Sequence, residues 1–416
     1  MKVTEQGLEF SERLLKKYDQ TGPRYTSYPT AVQFTSEFQA RHYKDIAQRS
    51  SVEHPEQPLS LYFHIPFCDT ICYYCGCSKI VTRNHSLVSP YLEHLQLEIT
   101  QQAALFNDRR VDQLHWGGGT PTFLSNEEMA QLMQMTKDAF NLETSADREF
   151  SIEIDPRSVD DEGIEVLSNI GFNRLSMGVQ DFDTAVQKAV NRVQSEQETL
   201  SVLNKARACG FKSISLDLIY GLPKQSVQSF SDTLDKVISV NPDRIAVYNY
   251  AHLPHLFKTQ KGIKEDQLPS PDTKLEILAL TIEKLTLAGY IYIGMDHFAK
   301  PEDELAMAQR NGSLHRNFQG YSTHADCDLV AMGLTSIGKV GPSYSQNFKD
   351  IETYYQYLRD DKLPVFRGLT LDADDLLRRA VISELMCHSV LDFATVEQSY
   401  DIDFKEYFSY SIKALE

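Results

Sequence analysis

From Pro58 onward the chain alternates short runs rich in β-branched and aromatic residues with longer amphipathic runs. The strand-like runs are LSLYFHI, ending at Ile65, then VDQLHW (111–116), EFSIEI (149–154), NRLSMGV (173–179), KSISLDLIY (212–220) and DRIAVYNY (243–250). Helical runs lie between them, at 88–105, 125–140, 194–209 and 226–239, and one more, 272–288, follows the sixth strand. Connections of this length suit parallel neighbours joined by right-handed crossovers, not hairpins. Six such units fall short of the eight that close a full barrel. The expected fold is therefore α/β: an incomplete (β/α)6 barrel over 58–290, an irregular N-terminal arm over 1–57, and an accessory, mainly helical C-terminal region over 291–416. The active site of such a barrel belongs at the C-terminal ends of its strands.

The flanking regions read differently. The arm carries a short helix (about 9–19) and the Pro- and Tyr-rich stretch GPRYTSYPTA (22–31), an extended segment suited to lie over another surface. After about residue 290 the alternation stops. Residues 294–338 are loop-rich, with His, Arg, Gln and aromatics, and read as a lid or accessory layer. Residues 373–388 and 403–415 look helical. In the last of these, Phe404, Phe408, Ile412 and Leu415 form an apolar stripe. The sequence reaches its final ALE without a C-cap glycine, so the helix reads as stopping short, with that stripe exposed.

The loop after the first strand is the most reactive part of the chain. Cys68, Cys72, Cys75 and Cys77 sit within the run HIPFCDTICYYCGC, spaced Cys-x3-Cys-x2-Cys-x-Cys. Thiolates are the ligands chosen by iron–sulfur clusters and by zinc. Zinc sites usually join ligand pairs from two separate segments, and the sequence has no second Cys/His cluster. Cys209, Cys327 and Cys387 are dispersed and read as buried small residues. Other polar groups fall at the same end of the sheet. GGGTPT (117–122) follows the second strand, with Gly117, Gly118 and Gly119 free of side chains and able to offer backbone groups to a small zwitterion. Glu153 and Asp155 mark the end of the third strand, Gln180 follows the fourth, Asp217 lies in the fifth, and Asn249 to His252 close the sixth. Tyr62 and His64 share one face of the first strand. If that face is the barrel interior, Tyr62 reaches a bound cofactor and His64 a proton or hydrogen-bond role. Tyr74 lies between two cysteines and reads as a cover for a cluster. Charged groups in core elements, such as Glu153, Asp217 and Arg192, need partners or ligands.

The formal net charge of −17 over 416 residues excludes a general nucleic-acid or anionic-membrane binder. The N-terminal run is polar, no apolar run is long enough to span a bilayer, and clustered reduced cysteines suit a cytoplasmic protein.

These motifs, together with LYFHIPFC (61–68), CGC (75–77), HWGGGTPT (115–122), NRLSMGVQDF (173–182), DLIYGLPKQ (217–225), YAHLP (250–254), GMDHFA (294–299) and HRNFQGY (315–321), resemble the oxygen-independent coproporphyrinogen III oxidases. Those are radical S-adenosylmethionine enzymes of porphyrin and haem biosynthesis, and the resemblance covers nearly the whole chain. It implies a 4Fe–4S cluster on Cys68, Cys72 and Cys75, with one iron left open for S-adenosylmethionine. It implies two S-adenosylmethionine molecules, the first at Tyr62, Gly118, Glu153, Ala251 and Ile337, the second at Tyr74, Gly119, Thr120, Gln180, Arg192 and Asp217. Tyr62, His64, Cys77 and Glu153 stand where the chemistry is expected. Phe318 and Gln319 match residues near substrate or cofactors, and Arg24 and Arg316 are the candidate forks for substrate carboxylates. The implied reaction is oxidative decarboxylation of two propionates of coproporphyrinogen III to vinyl groups. The implied partners are a low-potential electron donor such as flavodoxin or ferredoxin and an electron acceptor of unknown identity, around a monomeric protein. Family members continue into a further helical tail. Two other readings stay open at this point. One is a haem-binding relative, which typically lacks the arm and the fourth cysteine. The other is a shortened cluster-binding protein with impaired decarboxylation.

The spacing makes a direct prediction. Cys68→Ser, Cys72→Ser or Cys75→Ser should each abolish the brown chromophore of anaerobically reconstituted protein, while Cys77→Ser should retain it. Equal iron loss in the Cys77 variant would sink the three-ligand arrangement.

Overall fold

Alternation along the first strand sets the architecture. In β1 (Leu59–Ile65), Leu59, Leu61, Phe63 and Ile65 are fully buried on one face, while Ser60, Tyr62 and His64 share the other. The computed structural model describes residues 27–324 and 327–415, together with 2–4, 7–9, 11, 13 and 17 of the N-terminal segment. The helix expected over about 9–19 lies largely outside the described residues, as does the first half of GPRYTSYPTA, 22–26.

Five further strands follow in parallel, each hydrogen-bonded to the one before: β2 (Arg110–Gly118), β3 (Glu149–Ile154), β4 (Arg174–Gln180), β5 (Ser213–Tyr220) and β6 (Arg244–Asn249). Crossover helices cover their outer face: α1 (Val88–Ala103), α2 (Asn126–Ala139), α3 (Asp161–Ile170), α4 (Glu196–Ala208) and α5 (Val227–Val240), with α6 (Pro271–Leu287) beyond the sixth strand. All of these helices but α1 start where the sequence supplies a side-chain cap. Ser125 and Ser195 form reciprocal capping boxes with Glu128 and Glu198, and Asp160 accepts from the Gly163 N–H. The outward residues, such as Leu114, Trp116, Ile152, Met177, Leu216 and Ile245, are buried in one continuous core with the helices. Each contributes on the order of 1.5–3 kcal/mol by leaving water.

The barrel does not close. Beyond β6 the sheet continues into β8 (His297–Ala299) and β7 (Ile291–Gly294), both reached by antiparallel pairing. Beyond β1 it continues into β11 (Asp328–Met332), parallel to β1, and then into β12 (Ile337–Val340), β13 (Ser343–Asn347) and β14 (Val365–Thr370). A short hairpin, β9 (His315–Asn317) and β10 (Gly320–Ser322), stands apart from this sheet. Much of the segment expected to be a loop-rich lid is therefore sheet. The reason is physical. β11 and β13 are buried at every residue, so they show no period-two alternation, and β13 (SYSQN) is polar as well.

The arm meets this second half. Thr35 bridges Gly368 of β14, and Phe34 stacks on Tyr344 at 5.7 Å. The C-terminal part is helical from Ala373 onward. The expected single helix over 403–415 is broken near Phe408, into Phe404–Tyr407 and Ser409–Leu415. The stripe is not exposed as expected. Phe404 and Phe408 are buried against Leu377, Val381 and Val396, and Ile412 packs beside them, leaving Leu415 in solvent. The two preceding helices supply the cover, through Leu377 and Val381 of one and Val396 of the other. Among the described residues no helix is long and apolar enough to cross a membrane.

One buried ion pair fastens β11 beside β1. Arg109, just before β2, bonds Asp328 at 2.9 Å, with both side chains almost fully buried. Ser50 donates to the same carboxylate at 2.6 Å, and Arg109 also caps the Gln57 carbonyl at 2.6 Å. Removing one partner strands the other charge. Arg109→Met should lower stability by about 3–5 kcal/mol, and Arg109→Met combined with Asp328→Asn by less. Urea unfolding midpoints check this, and a double variant as damaged as the sum of the singles would contradict it.

Candidate active site

The cysteine loop rises from the C-terminal end of β1. Phe67 and Cys68 pair with Ile80 and Val81 and close its base. Neighbouring segments clamp its backbone. The Asn191 amide donates to the Ile71 carbonyl at 2.7 Å, Tyr73 N–H to Val190 at 2.9 Å, Gln260 to the Tyr74 carbonyl and Thr259 to the Cys75 carbonyl, both at 3.0 Å. Lys79 bonds the carbonyls of Cys75 and Cys77 at 3.1 and 3.3 Å. All four cysteines line one cavity of about 430 Å³, with Cys68 and Cys72 buried, Cys75 half-buried and Cys77 open to the cavity.

The thiols differ electrostatically. Burial pushes Cys68 up to about 11, against a hydrogen bond from Thr120 Oγ1 at 3.4 Å. A shared hydrogen bond lowers Cys75 and raises Cys77. Arg192 and Arg157 approach the Cys72 Sγ at 3.6 and 3.9 Å. Arg192 is buried, bonds Asp155 at 2.8 Å and the Gly178 carbonyl at 2.6 Å, and keeps an unbonded Nε. Burial works against Asp155 as an anion, but Arg192 and Arg157 outweigh it and hold its carboxyl down. Among the described residues no three His, Cys, Asp or Glu side chains close on a single metal ion. Three thiols set around a larger space, with cations beside them, fit the size and negative charge of a thiolate-bound iron–sulfur cluster.

The three glycines are required by close approach. Gly118 has φ +114°, and a Cβ there would stand 2.6 Å from the His64 ring. A Cβ on Gly119 would meet the Pro66 and Phe67 backbone at 2.7 Å. Two of their N–H groups are engaged, Gly118 with Glu153 Oε2 at 3.3 Å and Gly119 with the Ile65 carbonyl at 2.8 Å. Of the backbone groups expected to be offered to a ligand, these two N–H groups are thus engaged within the fold. The glycines let the end of β2 run tightly beside β1.

Inside the barrel, Tyr62, His64, His115 and Glu153 form one array. His64 Nε2 faces the Ser78 carbonyl at 3.0 Å and therefore donates, so Nδ1 accepts from Tyr62 at 3.1 Å. Burial lowers the His64 pKa and keeps it neutral. Tyr62 stacks on His115, whose Nε2 reaches Glu153 at 3.3 Å and whose Nδ1 meets Ser151 at 2.6 Å. Burial opposes the Glu153 charge, and the bonds from His115 and Gly118 prevail, so it stays ionised. Asp217 accepts from Ser176 at 3.1 Å, and burial, then the Glu153 charge, push it up to about 7.

Tyr74, Gly118, Gly119, Thr120, Glu153, Gln180 (φ +70°), Arg192 and Asp217 all line the cysteine cavity. Ala251 and Ile337 do not. Ala251 is exposed, with its carbonyl bonded to Gln260, and Ile337 packs beside Phe34 and Tyr344. Arg316 and Phe318 line a separate cavity with Tyr28, and Gln319 lines the barrel interior. Arg24 lies outside the described residues. Sequence reading passed over His115 and Arg157. The parity of His115 with Gly117 on β2 was the available signal for the first, and nothing in the spacing marks the second.

The Radical SAM superfamily matches residues 62–237. The oxygen-independent coproporphyrinogen III oxidase of Salmonella typhimurium strain LT2 is 50% identical, over 99% of this chain and 89% of that one. The same enzyme of Synechocystis is 46% identical, over 100% and 90%. A solved structure of the coproporphyrinogen III oxidase of Escherichia coli, described as a radical SAM enzyme, superposes with a TM-score of 0.92 at 49% identity, covering 97% of this chain and 90% of that one. The chain belongs to the oxygen-independent coproporphyrinogen III oxidase family. Its cofactors are accordingly a 4Fe–4S cluster and S-adenosylmethionine.

In this member of the coproporphyrinogen III oxidase family, Asp217 gives a pH signature. The carboxyl moves from its ordinary 3.8 to about 7 on folding. Between those values the folded chain keeps the proton and the unfolded chain has released it. Stability from this group is complete below about 4, falls as pH rises toward about 7, and is level above. Asp217→Asn should lose less stability than wild type between about pH 4 and about pH 7, and equal losses would place the titration elsewhere.

Proposed function

We infer that the chain converts coproporphyrinogen III to protoporphyrinogen IX without oxygen. In each of two propionates one hydrogen atom and one electron are removed and carbon dioxide leaves, giving a vinyl group. The observation that carries this is the three-thiol loop mounted over a polar barrel interior, in a chain of this family. When bound, the cluster and S-adenosylmethionine supply the one-electron reduction and the hydrogen-atom acceptor.

The chain's own residues hold, orient and exclude water. In this reading Cys68, Cys72 and Cys75 hold the cluster, and Cys77 stays a non-ligand beside it. Tyr62, Gly118 and Glu153, with Ala251 and Ile337, serve the first S-adenosylmethionine. Tyr74, Gly119, Thr120, Gln180, Arg192 and Asp217 serve the second. Glu153, ionised and oriented by His115, is placed to pair with a cationic group. His64, neutral and fixed at both ring nitrogens, keeps Tyr62 aimed into the interior. Arg316, Phe318 and Gln319, with Arg24, belong to the substrate side. A low-potential flavodoxin or ferredoxin feeds the cluster, a separate acceptor takes the final electrons, and the enzyme works as a cytoplasmic monomer.

The test is anaerobic iron and sulfide reconstitution, then incubation with coproporphyrinogen III, S-adenosylmethionine and dithionite. Two methionines should form for each protoporphyrinogen. Equilibrium binding should give two S-adenosylmethionine molecules per chain, falling to one in Asp217→Asn. Tight haem binding without vinyl formation would instead support the haem-carrying relative.

A further inference from the structure

A second cavity, of about 460 Å³, opens on the far side of the barrel interior from the cysteines. Ser60, near the start of β1, and Leu329 of β11 form part of its wall, whereas the cysteine loop leaves the end of β1. The interior joins the two. It shares Glu153 and Asp217 with the cysteine cavity, and Asn317 and Ser322 with the second one.

Two arginines in this wall have buried N–H groups without partners: Arg316 at Nε and Nη1, and Arg379 at Nη1. Buried guanidinium donors are rarely left unbonded, because each forfeits its hydration. The Arg316 guanidinium carbon lies over the Tyr321 ring, 4.6 Å from its centre, which holds the group beside the cavity. Arg379, on the helix Ala373–His388, stands beside the Tyr344 hydroxyl, which donates to the Tyr28 carbonyl of the arm at 2.9 Å. Lys339 lines the same wall, with Glu384 as its one carboxylate among the described residues. On a chain of net charge −17 this concentration of cations is local.

We propose that this cavity anchors the carboxylates that the reaction leaves intact, with Arg316 and Arg379 as their guanidinium partners. The proposal rests on the porphyrinogen reading above. Two of the four substrate propionates survive, and two guanidiniums with unsatisfied donors line one space. Held there, the tetrapyrrole extends through the polar interior toward the cysteine cavity with its reacting propionates foremost. The arm, through Tyr28, closes the anchored end.

The probe is coproporphyrin III, the stable oxidised tetra-acid, with its tetramethyl ester as the charge-free comparison. Binding to reconstituted protein is followed by fluorescence. Wild type should bind the acid, more weakly as salt rises, and the ester at least about tenfold less tightly. Arg379→Met and Arg316→Met should each weaken acid binding about tenfold or more and leave ester binding unchanged. Arg379→Lys, which keeps the charge and the fold but loses the fork, should fall between. If wild type turns over coproporphyrinogen III but Arg379→Met and Arg379→Lys both bind the acid as wild type does, the anchoring site is refuted and the reaction stands. Equal, salt-independent binding of acid and ester by wild type refutes it without any variant. If wild type binds no tetrapyrrole acid and makes no protoporphyrinogen, both readings fall.

Discussion

The two faces of the parallel strands are the constraint on which the site depends. A parallel sheet covered on both sides is ordinarily apolar on both. Here the outward positions obey that rule, while the inward positions carry Gln113, His115, Ser151, Glu153, Arg174, Ser176, Ser213, Asp217 and Arg244. These groups would be costly in a sealed core. Pairing offsets much of that cost, Arg174 with Glu304, Arg244 with Asp303 and His115 with Ser151 and Glu153, while Asp217 bears it as a raised pKa. The same alternation that buries Leu61 and Phe63 thus presents Tyr62 and His64.

Charge is arranged in step with that geometry. The buried cation beside Cys72, Arg192, does not stand alone: Asp155 and the Gly178 carbonyl fix it before any ligand arrives. Glu153 is kept ionised by His115, and Asp217, one strand pair further round, is kept near neutrality by burial and by Glu153 itself. Two carboxyls in one chamber therefore differ in protonation, which lets one chamber receive groups of different charge. Preorganised groups of this kind lose little freedom when a cofactor binds.

How much of this the sequence disclosed follows from periodicity. The six barrel strands and their helices were legible because one face of each is apolar and the chain is regular in length. The cysteine spacing, the strand-end positions of Glu153 and Gln180 and the place of Asp217 within the fifth strand gave most of the cavity wall. What escaped was non-periodic. β11 and β13 are buried throughout, so their sequence carries no repeat. The partner of Arg192 depended on a turn at Asp155 that brings two guanidiniums to one carboxylate. The fate of Phe404 and Phe408 turned on a break at Phe408 that the helical repeat conceals.

β1 has a neighbour on each side: β2, close behind it in sequence, and β11, which pairs Leu59 with Asp328. The strand that launches the cysteine loop is therefore completed by one of the last strands to be synthesised. Pairings of such long sequence separation form slowly, because the intervening chain must first be confined. Without that pairing β1 has a free edge, and the barrel interior lacks the side that β11 supplies. Cluster delivery to a nascent or loosely folded chain and delivery to the finished barrel are thus different events, and the register of a single β-strand pair separates them.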